Sequence, residues 1–154
     1  MKIEKFEDIE AWKEARELVK SVYKVCSVIE LKKDYALSDQ IKRAGVSIMA
    51  NIAEGFSRRG NKEFIQFLFI AKASAAELQS HLYIALDQQY IDKGKFDMLY
   101  TQTDKLQRKL SNCIKYLTST LTHKSRKSNN PTNPMNSINS INPTNPMNSI
   151  NSKP

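Results

Sequence analysis

All five prolines of this chain lie at position 131 or beyond, so residues 1–128 contain none. Proline fixes φ and lacks a backbone donor, and sandwiches and barrels with many tight turns normally use it. A stretch this long without proline is the composition of a helical domain. The four glycines, Gly45, Gly55, Gly60 and Gly94, fall in the middle of the stretch; the last three mark a helix end, a link and a turn, and Gly45 lies within a predicted helix, where it would let another helix approach. At 154 residues the chain is long enough for one domain with a sizeable core and a tail.

Apolar spacing predicts four helices. The first runs from about Asp8, as N-cap, to Glu30, with a stripe of Trp12, Ala15, Val19, Val22, Cys26 and Ile29. The second runs from Tyr35 or Ser38 to Glu54, with Leu37, Ile41, Ala44, Ile48 and Ile52 inward and Gly55 as C-terminal cap. After the polar link Phe56–Gly60, Asn61 caps a third helix that continues to about Gln89. Its stripe is Phe64, Leu68, Ala71, Ala75, Leu78, Leu82 and Ala85. Gly94 marks the next turn, and the fourth helix spans about Lys95–Thr122 with Phe96, Leu99, Thr103, Leu106, Leu110, Cys113 and Leu117 inward. Spacings that alternate between three and four form a bundle seam, and short links make neighbours antiparallel. The expected fold is all-α, an antiparallel up-down four-helix bundle over residues 1–125. Residues 126–154 are expected to be a disordered tail. Within it NPTNPMNSINS occurs at 130–140 and again at 142–152, a twelve-residue tandem repeat too polar to offset chain entropy by burial.

The amino-terminal stretch is charged and amphipathic, without a signal peptide's apolar core, and no apolar run approaches a membrane span. Cys26 and Cys113 both sit on predicted seams and read as reduced core residues. The expectation is a cytoplasmic protein with no membrane partner.

Helix 3 departs from simple amphipathicity. Its first turns add Ile65, Phe67, Phe69 and Ile70 to the stripe, so they are apolar on nearly all sides. Such a helix is buried on more than one face. The second face meets either another subunit, through Ile65, Phe67 and Phe69, or the leader Met1–Phe6 folded over it.

The formal net charge is +8, and the excess is local. Residues 1–103 are nearly balanced, whereas 104–128 carry Lys105, Arg108, Lys109, Lys115, Lys124, Arg126 and Lys127 against Asp104 alone. Arg58, Arg59 and Lys62 form a second cluster in the link between helices 2 and 3. Arg58, Arg59, Lys62, Lys105, Arg108, Lys109 and Lys115 are therefore the candidates for phosphate-backbone binding to RNA or DNA. The competing reading is a solvated face with cations favoured near a helix C-terminus.

Signals for catalysis are weak. The chain lacks HExxH, CxxC, GxSxG and the P-loop spacing. Glu77 and His81 are four apart, but a di-iron bundle needs Glu-x-x-His pairs and further glutamates. The chain is read as a non-enzyme with no cofactor and no metal. One polar constellation stands out: Arg43, Ser47, Asn51, Glu54 and Arg58 line one face of helix 2. A stripe beside a seam is a hydrogen-bonded network with a structural or assembly role.

Residues 40–79, QIKRAGVSIMANIAEGFSRRGNKEFIQFLFIAKASAAELQ, resemble the signature of the four-helix-bundle proteins encoded in intervening sequences of bacterial 23S ribosomal RNA genes. The segment is also similar to the accessory variability determinant of diversity-generating retroelements. The pattern carries over to Arg43, Ala44, Ser47, Asn51, Ile52, Ala53, Glu54 and Gly55. It continues at Glu63, Phe64, Phe67, Leu68, Ala71, Ser74 and Glu77. Gln66, where many relatives have Arg, and Lys72-Ala73, where many have Arg-Gly, depart from it. The resemblance covers about residues 3–121. It implies four antiparallel helices, a homopentameric ring, association with nucleic acid and, in the retroelement branch, a reverse transcriptase partner. It implies no enzyme activity. An interaction scaffold for such a partner is the alternative function.

Overall fold

The computed structural model describes residues 3–128, with side chains through His123. A 3-10 turn at Phe6–Asp8 precedes helices α1 (Glu10–Cys26), α2 (Ile29–Lys33), α3 (Tyr35–Ser57), α4 (Asn61–Asp87) and α5 (Lys93–Ser128). The described chain is all-helical, as its proline and apolar patterns predict.

The four long helices follow one another around the bundle, each against its neighbours in sequence, and α5 closes back on α1. Their contacts run antiparallel. Val22 of α1 lies under Gly45 of α3, and further along α1 the Cys26 thiol reaches back to the Ser38 carbonyl. Ser47 of α3 meets Ser74 of α4, while the later Gly55 meets the earlier Phe67. Between α4 and α5, Gln79 accepts from Gln107 and Asn61 donates to Thr120. Glu14 of α1 accepts from Lys109 of α5. Leu18, Val22, Ile41, Ile48, Ile52, Leu68, Leu78, Leu82, Leu99, Leu106 and Leu110 fill the interior with almost no exposure.

Several local expectations change. The first predicted helix is two: α1 stops at Cys26, the Ser27 hydroxyl donates to the Lys24 carbonyl, and Val28 is extended. The break shifts the register, so Leu31 is buried and Ile29, expected in the core, is 63% exposed. Asp8 belongs to the 3-10 turn and Ile9 stands at the N-cap of α1 without a side-chain cap. Asp34 is the acid that caps: its carboxylate accepts from the Leu37 N–H at 3.0 Å, opening α3. Gly60, not Asn61, is the N-cap of α4. Gly94 lies within the first turn of α5, and the left-handed residue of the preceding turn is Gln89, at φ 57°. α5 runs to Ser128, past the expected end at Thr122 and three residues into the expected tail. The tandem repeat lies outside the described residues.

Candidate nucleic-acid interface and motif face

The polar stripe of α3 divides into an inward and an outward half. Inward, the Ser47 and Ser74 hydroxyls share a 2.8 Å hydrogen bond across the α3–α4 contact. The Asn51 amide donates to the Ser47 carbonyl at 2.8 Å and to its hydroxyl at 3.1 Å. Ser74 is buried, so this small clasp satisfies groups that burial would otherwise leave unpaired. Gly55 continues the inward half. It is not a C-cap: α3 runs on to Ser57, and Gly55 is buried against α4. A Cβ at this position would lie 2.5 Å from the Cβ of Phe67, so the glycine sets how closely the two backbones approach.

Outward, Glu54 accepts from Arg58 at 2.9 Å, both half exposed, and the Arg58 guanidinium lies 5.6 Å from the Phe67 ring centre. Arg43 and Glu77 line an open groove with Tyr23, Asp39, Lys42 and Val46. Glu77 stands 3.5 Å from His81 Nε2, and both imidazole nitrogens are buried without a hydrogen-bond partner among the described residues. The six motif residues thus do not form one site. Ser47 and Gly55 meet α4, Asn51 holds Ser47 from within α3, and Arg43, Glu54 and Glu77 face solvent.

The basic candidates also separate. Lys109 lies 2.7 Å and Lys105 3.5 Å from the same Glu14 oxygen on α1. Arg108 pairs with Asp104 one turn earlier at 2.8 Å. Three of the four basic candidates on α5 therefore spend charge on two acids, one of them brought from a helix far away in sequence. Lys115, Arg59 and Lys62 are exposed and enter no described ion pair. Arg59 occupies the left-handed region at φ 57°, because the link between α3 and α4 must reverse the chain within Arg58–Gly60. That conformation costs a non-glycine residue about 1–2 kcal/mol.

The turn Phe6–Asp8 that follows the leader packs on α1 and α3. Phe6 packs edge-on to Trp12, with ring centres 5.0 Å apart, and Ile3 shares a cleft with Phe56 and Phe64. Ile65 and Phe67 are half buried, so of the three expected contact residues Phe69 alone is exposed, at 54%. Ile70, Tyr83 and Ile84 are also exposed, and with the exposed Ala73 and Ala76 they continue an apolar face down the helix. Sequence reasoning missed Tyr83 and Ile84, although both follow from Phe69 and Ile70 by helical spacing. It also missed Tyr116, 68% exposed beside Lys115.

Cys26 is buried, Cys113 is half buried, and both are free; loss of hydration on burial pushes each thiol above its ordinary range. Among the described residues no cluster of three or more His, Cys, Asp or Glu side chains is placed to hold a metal ion. No described helix is long and apolar enough to cross a membrane.

The fold and these surfaces define an antiparallel helical bundle whose distinctive chemistry lies on its outer faces and at one end. A family model described as 23S rRNA-intervening sequence protein matches residues 7–112, and the chain belongs to that family. Among solved structures it is similar to a protein of unknown function from the S23 ribosomal protein family of Bacteroides thetaiotaomicron VPI-5482. The two share 26% identity at a TM-score of 0.63, over 68% of this chain and 98% of that one. No curated protein matches the chain.

Proposed function

We propose that this protein is a non-enzymatic, self-associating binder of nucleic-acid backbone. The observation that carries the reading is the one-sided charge of α5 and its continuation. Lys105, Arg108, Lys109 and Lys115 are followed in sequence by Lys124, Arg126 and Lys127; among the described residues Asp104 and Glu14 pair with three of them, and Glu10 also feels the Lys109 charge. Paired lysines still leave a net positive surface, and such surfaces bind polyphosphate through counterion release with little sequence readout. Self-association is supported by the exposed apolar face of α4, whose small residues Ala73 and Ala76 allow another helix to come near. A pentameric ring, suggested by the family resemblance, would repeat the basic surface and multiply its field.

The test measures sedimentation of the wild type and of Phe69→Glu at micromolar concentration, then titrates each with ribosomal RNA and duplex DNA at increasing salt. The expected result is an oligomer reduced by Phe69→Glu, and binding that weakens steeply with salt and differs little between sequences. A monomeric wild type would overturn the assembly reading. A wild type that binds neither polymer at low salt would overturn the nucleic-acid reading and favour a protein-binding scaffold.

A further inference from the structure

The end of the bundle where α3 passes into α4 contains a cleft of about 270 Å³. Phe56, Phe64 and Leu117 give it apolar walls, and Tyr116, Arg59 and Asn61 also line it. The space equals roughly nine waters at ~30 Å³ each, more than a single heterocyclic base fills. Tyr116 presents an exposed aromatic ring, although Ile114 and Leu117 beside it turn toward the core. Asn61 supplies an amide, held to the Thr120 hydroxyl by one 3.4 Å hydrogen bond.

One cation lines this slot and two more are next to its lining residues in the chain. Lys115 precedes Tyr116, Lys62 follows Asn61, and Arg59 is in the lining. From Thr120, opposite the start of α4, α5 continues about two turns to Ser128, and that stretch contains Lys124, Arg126 and Lys127 with no acid. Acids at the same end lie to one side. The Glu63 carboxylate folds back over Gly60, and Glu4 and Glu7 share the adjoining cleft under the leader with Lys5. The α5 side of the slot stays basic. An aromatic face, an apolar slot, an amide at the edge and cations for the backbone are the components of recognition of unpaired nucleotides.

We propose that this slot holds one unpaired nucleotide of an RNA or DNA strand, its base on Tyr116 and its flanking phosphates on Arg59, Lys62 and Lys115. The inference rests on the nucleic-acid reading above and places its contact at the bundle end rather than along the middle of α5. A base stacked in a duplex has both ring faces taken by its neighbours and cannot also lie on Tyr116, so single strands are preferred to duplexes.

The test measures fluorescence anisotropy of labelled oligo-U and oligo-dT and of duplexes of matched length, across a salt series, with circular dichroism to verify folding. Wild type binds the single strands more tightly, and the tighter of the two names the source. Tyr116→Ala weakens single-strand binding roughly tenfold or more, and Tyr116→Phe binds as wild type. Lys62→Gln with Lys115→Gln lowers the salt slope by about 1.4, the value for two single-strand contacts. Lys105→Gln with Arg108→Gln removes the same charge and lowers it less. In Tyr116→Trp, bound strand quenches the new emission, because the native Trp12 is only 8% exposed. Unchanged binding by Tyr116→Ala, absence of quenching, or an equal loss from the mid-helix pair would overturn the slot while leaving backbone binding intact. Failure of the wild type to bind any strand at low salt would remove the nucleic-acid reading itself.

Discussion

Two glycines ten residues apart on α3 should respond to alanine with opposite signs. At Gly55 an added Cβ would lie 2.5 Å from Phe67 Cβ and 2.9 Å from Phe64 Cδ2. The first of these atoms is fixed to the α4 backbone and cannot swing aside, so relief requires the helices to move apart by about 1 Å, and overpacking of this kind costs ~1–3 kcal/mol. Alanine returns about 1 kcal/mol of helix propensity. With the clash at the upper end of its range, Gly55→Ala is destabilised by about 2 kcal/mol. For a domain of roughly 125 residues that is a fall of about 8 °C in Tm. At Gly45 the added Cβ would meet Val22 at 3.6 Å and Val19 at 3.9 Å, ordinary contact distances. There the propensity gain stands alone, and Gly45→Ala gains about 0.5–1 kcal/mol, or 2–4 °C. The assay is thermal and urea unfolding followed by circular dichroism, at one protein concentration so that any self-association is held constant. A Gly55→Ala protein as stable as Gly45→Ala would refute the close approach of α3 to α4 at this glycine.

The polar clasp and the outward ion pair should also differ. Ser47→Ala leaves the buried Ser74 hydroxyl without its partner and costs ~1–2 kcal/mol, part of which Ser47→Ala with Ser74→Ala recovers. Glu54→Leu removes only a half-exposed pair and costs less than about 1 kcal/mol, so equal losses in unfolding experiments would contradict the division of the motif face. The raised thiols of Cys26 and Cys113 predict a pH effect. A thiol whose folded pKa lies above its unfolded value contributes stability that is complete below about pH 8.5 and is lost as pH rises through the folded value. Tm measured from pH 7 to 10 should fall less in Cys26→Ala with Cys113→Ala than in wild type, and parallel curves would show that the thiols contribute nothing.

The number of long helices and most inward positions were legible in the sequence because both are local. Absence of proline lets a helix continue, and a three-four spacing states which side of it is apolar. The stripes of α3, α4 and α5 accordingly match the core at Ile41, Ile48, Leu68, Leu78, Leu99 and Leu106. The same reasoning overran Ser27, because a side chain that ends a helix by bonding its own backbone leaves the apolar spacing around it almost unchanged. It also read Gly55 as a cap, since a glycine near a helix end and a glycine under a neighbouring helix look alike until the neighbour is in place.

The tertiary structure alone decided which charges are available and which apolar residues remain uncovered. Glu14 is on the first long helix and Lys109 on the last, and no spacing rule connects residues so far apart. Their pairing leaves Arg59, Lys62 and Lys115 as candidates without a described ion pair, and of these Arg59 lines the same cleft as Tyr116. Phe64 is half buried beside Phe56, whereas Phe69 and Ile70 on the same helix stay open. Periodicity assigns a residue to a face of its own helix. What that face meets depends on how separate helices are arranged in space, and that arrangement is set by the packing of all of them together.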